Sequence, residues 1–344
     1  MAQRLQAVAP MKVAWTEIEL TSPQADEIRL KSEFSAAKHG TEMAFVSGKA
    51  GRRGDYDPQL QIHLYETARE DRCFPWAVGN CVIGRVTETG SAVTHVKVGD
   101  RVLIEEVPFQ DEHVVKASRA WLMPETLNWK SAACLDPSLF ALGAVRDGNV
   151  RAGDQVAIFG LGAIGLMAVQ VCRLAGAAKV IAVDPIPARR EIAASLGADH
   201  VIDPMAVDAG REIKLLTGKR GTDVTIEISG NMQALQAAIR ATAFGGNVVA
   251  AAFPGPYPAG LDLGAEAHLN RPNLIFSRAC SDPGRDHPRW DFRRIRETCW
   301  NFICAGKLDG EPIVQPVIDF RELADCYIPI ASDPQKGIKL GVRH

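Results

Sequence analysis

Gln155-Val-Ala-Ile-Phe159-Gly160-Leu161-Gly162-Ala163-Ile164-Gly165-Leu-Met-Ala-Val-Gln-Val-Cys-Arg-Leu174 is the stretch whose reading decides the fold. Gln155–Phe159 is a short apolar run of the kind that forms a buried strand, and Ala163–Leu174 has helical periodicity. Between them stands Gly-x-Gly-x-x-Gly. The glycines alone are a weak signal; a strand before them and a helix after them make a dinucleotide fingerprint. Gly160 permits a tight turn, Gly162 lets the backbone approach a pyrophosphate, and Gly165 allows close packing of helix and sheet. Ala163 and Ile164 open a helix N-terminus, where unpaired N–H groups favour phosphate. About twenty residues on, as the fingerprint requires, Asp184 ends the next apolar run, Lys179–Val183. A carboxylate there accepts hydrogen bonds from the adenosine ribose and repels a 2′-phosphate, which selects NAD over NADP. Arg189 and Arg190 follow. They either soften that repulsion or, the preferred reading, lie on the outer face of the next helix. Without a ligand the segment is a plain strand–turn–helix in which Asp184 caps that helix.

The alternation continues outward through residues 151–284. Strands are expected at 199–202, 223–228 and 246–252, and helices at 188–196, 206–216 and 234–242. Strands and helices at this interval form βαβ units and a parallel sheet, hence an α/β fold. Upstream lie short β-runs at 12–15, 26–33, 77–88, Arg101–Glu105 and 113–116. Residues 51–58, polar and glycine-rich, read as an exposed loop. Downstream, a charged helix at 290–305 precedes short mixed elements. The chain has 344 residues, 47% hydrophobic and 23% charged. That length suits two domains with a core that needs no disulfide or metal. A net charge of −2 offers no basic surplus for nucleic acid or an anionic membrane. Cys73, Cys81, Cys134, Cys172, Cys280, Cys299, Cys304 and Cys326 form no C-x-x-C pair and read as free thiols in a reducing compartment. No apolar segment has the length of a bilayer span, and the N-terminus lacks a signal-peptide core. The expected location is cytoplasmic.

The chain resembles the medium-chain dehydrogenase/reductase superfamily over nearly its whole length. The resemblance is carried by Val98-Gly-Asp-Arg-Val102, Asp136-Pro137 ahead of a helix, Arg151-Ala-Gly-Asp-Gln-Val156 and Asp223-Val-Thr-Ile-Glu227-Ile-Ser229-Gly230. Ser35-Ala-Ala-Lys38-His39-Gly40-Thr41-Glu42 and Arg289-Trp290-Asp291 resemble a branch with bacteriochlorophyllide dehydrogenases and sugar or polyol enzymes. The resemblance implies a GroES-like β-rich catalytic domain from residues 1–147 and 285–344. A Rossmann domain, a doubly wound parallel sheet, would occupy 148–284, with the active site in the cleft between. It also implies that Ser229 joins the cofactor contacts and that residues 273–277 form an edge strand through which a homodimer extends its sheet.

Zinc-dependent members of the superfamily bind the metal with an early Cys, the His of a Gly-His-Glu motif and a later Cys, Glu or Asp. The resemblance places Lys38 at the first position, Asn80 and Cys81 in the second motif, and Asp136 at the third. An ammonium ligates only when deprotonated, and an amide is a poor zinc ligand. One plausible ligand does not hold zinc, and the clustered cysteines of a structural zinc lobe are missing. No zinc of either kind is expected; a rearranged site using His39 and Cys81 is the alternative. Lys38 and Asp136 would meet where metal and ligand once stood. Lys38 then stabilises the substrate oxygen in the zinc's place, or the pair is a structural salt bridge. His39 is a proton relay or a structural residue, and Asn80 orients substrate or caps a turn. Thr41 and Glu42 shape backbone near the nicotinamide. Lys49, Asp55 and Tyr56 contact a polar substrate or, the preferred reading, belong to a solvated loop; Trp76 is a pocket wall or, the preferred reading, packs in the core.

Three functions compete. The first is NAD-dependent hydride transfer to or from a secondary alcohol of a sugar, cyclitol or polyol. The second is zinc-free reduction of activated C=C bonds or quinones, for which NADPH is the usual cofactor. The third is a non-catalytic NAD(H) sensor.

Overall fold

The computed structural model describes residues 1–69 and 74–344. Cys73 lies outside the described residues. The chain divides into two compact units, residues 1–133 with 314–344, and residues 134–313.

The first unit is built on β-strands. These are β1 (Ala2–Ala9), β2 (Lys12–Ile18), β3 (Glu27–Ala36), β4 (Asp55–Asp57), β5 (Ile62–Leu64), β6 (Trp76–Ala77), β7 (Cys81–Thr89), β8 (Arg101–Glu105), β9 (Glu112–Lys116) and β10 (Trp121–Leu122). The returning chain adds β17 (Val314–Asp319) and β18 (Lys339–Arg343). The main sheet runs β10-β8-β7-β3-β18-β17, with β9 also paired to β3, and a smaller sheet runs β2-β1-β6. Strand β3 alternates Ile28 and Leu30 inward with Lys31 outward, and those two residues pack with Val82, Val102 and Ile104. A second cluster joins Leu5, Val78, Phe109, Leu340 and Val342 to α10 (Leu323–Ala331) through Leu323 and Tyr327. Trp76 packs on it as expected, its ring stacked on Phe45 at 5.1 Å. The run expected at 77–88 is broken at Gly79. Its φ is +133°, and a Cβ there would lie 2.3 Å from Phe109 N. Residues 51–58 are not wholly loop, since β4 and β5 form a small hairpin. Tyr56 is exposed there.

The second unit carries six parallel strands: β11 (Gln155–Phe159), β12 (Lys179–Val183), β13 (His200–Ile202), β14 (Thr222–Glu227), β15 (Thr242–Ala250) and β16 (Asn273–Phe276). Their order is β13-β12-β11-β14-β15-β16. This is the doubly wound Rossmann order, with its reversal between β11 and β14. Val156 through Phe159 are all buried, because helices cover both faces of a parallel sheet. Ala157 and Phe159 face α6 (Ala209–Leu216) and α7 (Met232–Ala241), where they meet Ile213, Leu235 and Ile239. On the other face α4 (Ala163–Leu174) packs against α3 (Leu135–Asp147), and α3 against α9 (Phe292–Cys304). That packing moves the boundaries. The unit extends to 134 and 313, beyond 148–284, because α3 and α9 bury their faces within it. The expected start of a helix at 206 is corrected to Ala209. Asp208 is its N-cap, accepting from Arg211 N at 3.1 Å. Asp291 caps α9 in the same way, and the guanidiniums of Arg146 and Arg294 lie over the Trp290 ring, 3.6 and 4.3 Å from its centre. No helix among the described residues is long and apolar enough to cross a membrane.

Candidate functional site

The turn after β11 lies at the reversal of strand order. Gly160 has φ +95°, and a Cβ on it would lie 2.7 Å from Ser229 N at the end of β14. A Cβ on Gly165 would lie 1.9 Å from Gly160 O, so the third glycine lets the helix close on the turn itself rather than on the sheet. A Cβ on Gly162 would meet nothing within 4 Å. Gly162 is the N-cap of α4 and gives no side-chain bond, so the first-turn amides of Ala163, Ile164 and Gly165 face away from the helix without an intrahelical partner. An open space in front of a helix N-terminus suits a pyrophosphate.

Asp184 is buried, 4% exposed, at the end of β12. Its Oδ2 accepts from Leu161 N at 2.8 Å and its Oδ1 from Ile186 N at 2.9 Å. It is therefore not the cap of α5 (Pro187–Ser195), whose N-cap is Ile186. Instead it ties the glycine turn to the neighbouring strand. A carboxylate has about four acceptor positions, so two remain for hydroxyl donors. Arg189 and Arg190 do not lie on an outer face. Arg189 Nη1 stands 4.0 Å from Asp184 Oδ2, and Arg190 donates to Asp184 O at 2.7 Å. Ser229 is held by Glu227, which accepts from the Ser229 amide and hydroxyl and from Gly230 N. Burial pushes the Glu227 carboxyl up, against those donors. Glu227 was legible only as part of a motif; its brace on the turn needed the structure.

In the first unit, strand register assembles a second group. Ala36 pairs with Cys81 on one side and Gly341 on the other. The residues just beyond these pairs, Ala37 and Lys38, Asn80, and Lys339 and Leu340, therefore lie side by side at one sheet end. Lys38, half-buried, is the N-cap of α1 (His39–Val46). His39 begins that helix and accepts from Leu340 N through Nε2 at 3.4 Å. Asn80 is 6% exposed; its backbone joins Ala36, Glu106 and Val107. Its Oδ1 is buried with no hydrogen-bond partner among the described residues. Cys81 is buried, its thiol 4.0 Å from Ala133 O. Glu42, 2% exposed, is bound by Tyr327 and the Lys38 amide, and burial pushes its carboxyl up. Tyr327 and Lys339 carried no local sequence signal. Asp136 belongs to the second unit, in the first turn of α3, where a carboxylate also suits the helix dipole.

Two family models match the chain, the alcohol dehydrogenase GroES-like domain over residues 54–124 and zinc-binding dehydrogenase over residues 163–282. D-guloside 3-dehydrogenase of Escherichia coli (strain K12) is 41% identical, covering 99% of both chains. The chain belongs to the zinc-type medium-chain alcohol and polyol dehydrogenases. Sorbitol dehydrogenase of Bacillus subtilis is 30% identical over 56% of this chain and 64% of its own length. The fold also matches that of 2R,3R-butanediol dehydrogenase from Bacillus subtilis, with a TM-score of 0.78 at 22% identity over all of both chains. This medium-chain dehydrogenase is thus an oxidoreductase with a GroES-like sheet unit and a Rossmann unit. The Rossmann turn fits a nicotinamide dinucleotide, since a Cβ would fill the cradle that Gly162 leaves open. Among the described residues no three His, Cys, Asp or Glu side chains gather where they could hold a metal ion.

Proposed function

We propose that this dehydrogenase exchanges a hydride between NAD and a secondary alcohol of a sugar, cyclitol or polyol without zinc. The observation that carries the reading is the Asn80 amide oxygen, buried and with no donor among the described residues, at the sheet end that bears Lys38. An unmet buried acceptor costs about 1–3 kcal/mol, and a polyhydroxylated substrate supplies the missing donor. The relatedness to a D-guloside dehydrogenase supports the same class.

The nicotinamide, when bound, accepts or returns the hydride at C4. Gly160, Gly162, Ala163, Ile164, Gly165 and Ser229 form the turn for the pyrophosphate, and Asp184 takes the ribose hydroxyls with Arg189 beside it. Asp184 supports NAD rather than NADP. Lys38 directs its ammonium at the substrate oxygen and stabilises alkoxide character as hydride leaves carbon. In the reverse direction it gives that oxygen a proton. Asn80 orients the substrate, and His39 and Asp136 complete the proposed set.

Titration with NADH and NADPH, metal analysis of the purified protein and turnover on D-sorbitol, 2,3-butanediol and methyl D-guloside test this reading. NADH is expected to bind at least about tenfold tighter, the margin one carboxylate–phosphate clash provides. Stoichiometric zinc, or full turnover in Lys38→Ala, overturns the mechanism. NADH binding without turnover of any alcohol favours a sensor. Homodimerisation through β16 and a cytoplasmic location, with no nucleic-acid or membrane partner, belong to the same proposal.

A further inference from the structure

The peptide group joining Ala37 to Lys38 is gripped at both ends by buried charged side chains. Its carbonyl, Ala37 O, accepts from Lys339 Nζ at 2.7 Å. Its amide, Lys38 N, donates to Glu42 Oε1 at 2.9 Å. Lys339 is 3% exposed and Glu42 is 2% exposed. The other carboxylate oxygen, Glu42 Oε2, accepts from the buried Tyr327 hydroxyl at 2.7 Å. Ala37 N donates to Leu340 O at 2.9 Å, and Lys38 O accepts from the Thr41 and Glu42 amides at 3.1 and 3.0 Å. Each backbone polar group from Ala37 N to Lys38 O is therefore occupied.

Taking a lysine and a glutamate out of water is expensive, and apolar residues of the same volume often stabilise a fold as well or better. A neutral amide or water would also satisfy a strand-end peptide. Two buried charges committed to one peptide group answer a need for geometry more than for stability. Burial of Glu42 raises its carboxyl, so the site retains the group against a desolvation cost. We propose that Glu42 and Lys339 are positioning residues, which clamp the Ala37–Lys38 peptide and so fix the direction in which the Lys38 ammonium leaves the sheet. Tyr327 orients Glu42 for this. The inference rests on the reading of Lys38 as the group that meets the substrate oxygen.

Lys339→Met and Glu42→Met remove the clamp with little change in volume, and Lys339→Gln and Glu42→Gln retain a neutral partner. Turnover is read on whichever of D-sorbitol, 2,3-butanediol and methyl D-guloside the wild type oxidises fastest. The Met variants are expected to lose about 10- to 100-fold in kcat while KM and the NADH Kd move less than about threefold, the pattern of a misplaced reacting group. The Gln variants recover most of the loss. A role in folding alone would lower the melting temperature and leave the kcat of the folded enzyme unchanged. Wild-type kcat in both Met variants, with Lys38→Ala inactive, overturns the clamp and leaves the reading of Lys38 standing. Full turnover in Lys38→Ala overturns that reading itself. Labelling of Lys38 Nζ by acetic anhydride, followed by mass spectrometry, needs no substrate. Its rate is expected to rise about threefold or more in Lys339→Met as the side chain gains freedom, and not in Lys339→Gln. An unchanged rate overturns the proposal. Should a Met variant fail to fold, Tyr327→Phe carries the test, with a kcat loss of about tenfold expected and a wild-type value overturning the clamp.

Discussion

Gly162 and Gly165 stand three residues apart and respond to a methyl group in opposite ways. Gly162→Ala places its Cβ in open space at an ordinary φ of −71°, so the fold should keep its melting temperature. The methyl fills the cradle, and NADH affinity is expected to fall by about tenfold or more. Gly165→Ala drives a Cβ to 1.9 Å from Gly160 O and must move backbone. Overpacking of that kind costs about 1–3 kcal/mol, so the melting temperature drops together with cofactor affinity. Differential scanning fluorimetry with NADH titration separates the two; equal behaviour of both variants would contradict the cradle. These glycines were legible because their spacing is local. The two arginines after Asp184 were not. Sequence placed Arg189 and Arg190 outward, whereas β12 ends so close to α5 that both reach back to Asp184.

Among elements, α6 shows how a cap sets a boundary. Apolar periodicity alone starts the helix at 206, but the Asp208 side chain takes the Arg211 amide and ends the turn before it. Asp208 also pairs with Arg240 at 3.0 Å on α7. Asp208→Ala is expected to cost about 1–2 kcal/mol, the usual cost of losing a cap, and Asp208→Asn distinctly less. Chemical denaturation measures both, and equal losses would assign the effect to the ion pair. Among the described residues strand β16 is paired on one side only, by β15, and Leu274 and Phe276 on it are 42% and 72% exposed. A bare strand edge carrying apolar side chains invites pairing with a second copy. Light scattering is expected to find twice the chain mass for the wild type and the chain mass for Leu274→Lys. A wild-type monomer would remove β16 as an interface.

At the scale of the molecule, the buried His113 and the half-buried His344 contribute to the response to acid. Burial lowers His113 to about 4 and His344 to about 3. Below their ordinary value of 6.5 the unfolded chain binds protons that the folded chain refuses, so stability falls as pH drops from 6.5 toward 4. For His113 the full effect is on the order of 3 kcal/mol. Glu42 and Glu227, whose carboxyls are raised by burial, act in the opposite sense and favour the folded state as pH falls. Comparing His113→Gln with the wild type cancels their part. The wild type should lose more melting temperature between pH 7 and pH 5 than the variant, and parallel losses would exclude His113. The α/β class, the parallel sheet and the dinucleotide turn were determined by the sequence itself, because helix and strand periods and glycine spacing act over a few neighbouring residues. Only the tertiary structure decided which distant side chains serve Lys38. Lys339 lies on the last strand and Tyr327 on the last helix, and no local pattern marks either. Lys339 reaches Ala37 O through the register of β3 with β18, and a slip of one residue there would turn its side chain to the opposite face of the sheet; Tyr327 reaches Glu42 through the packing of α10.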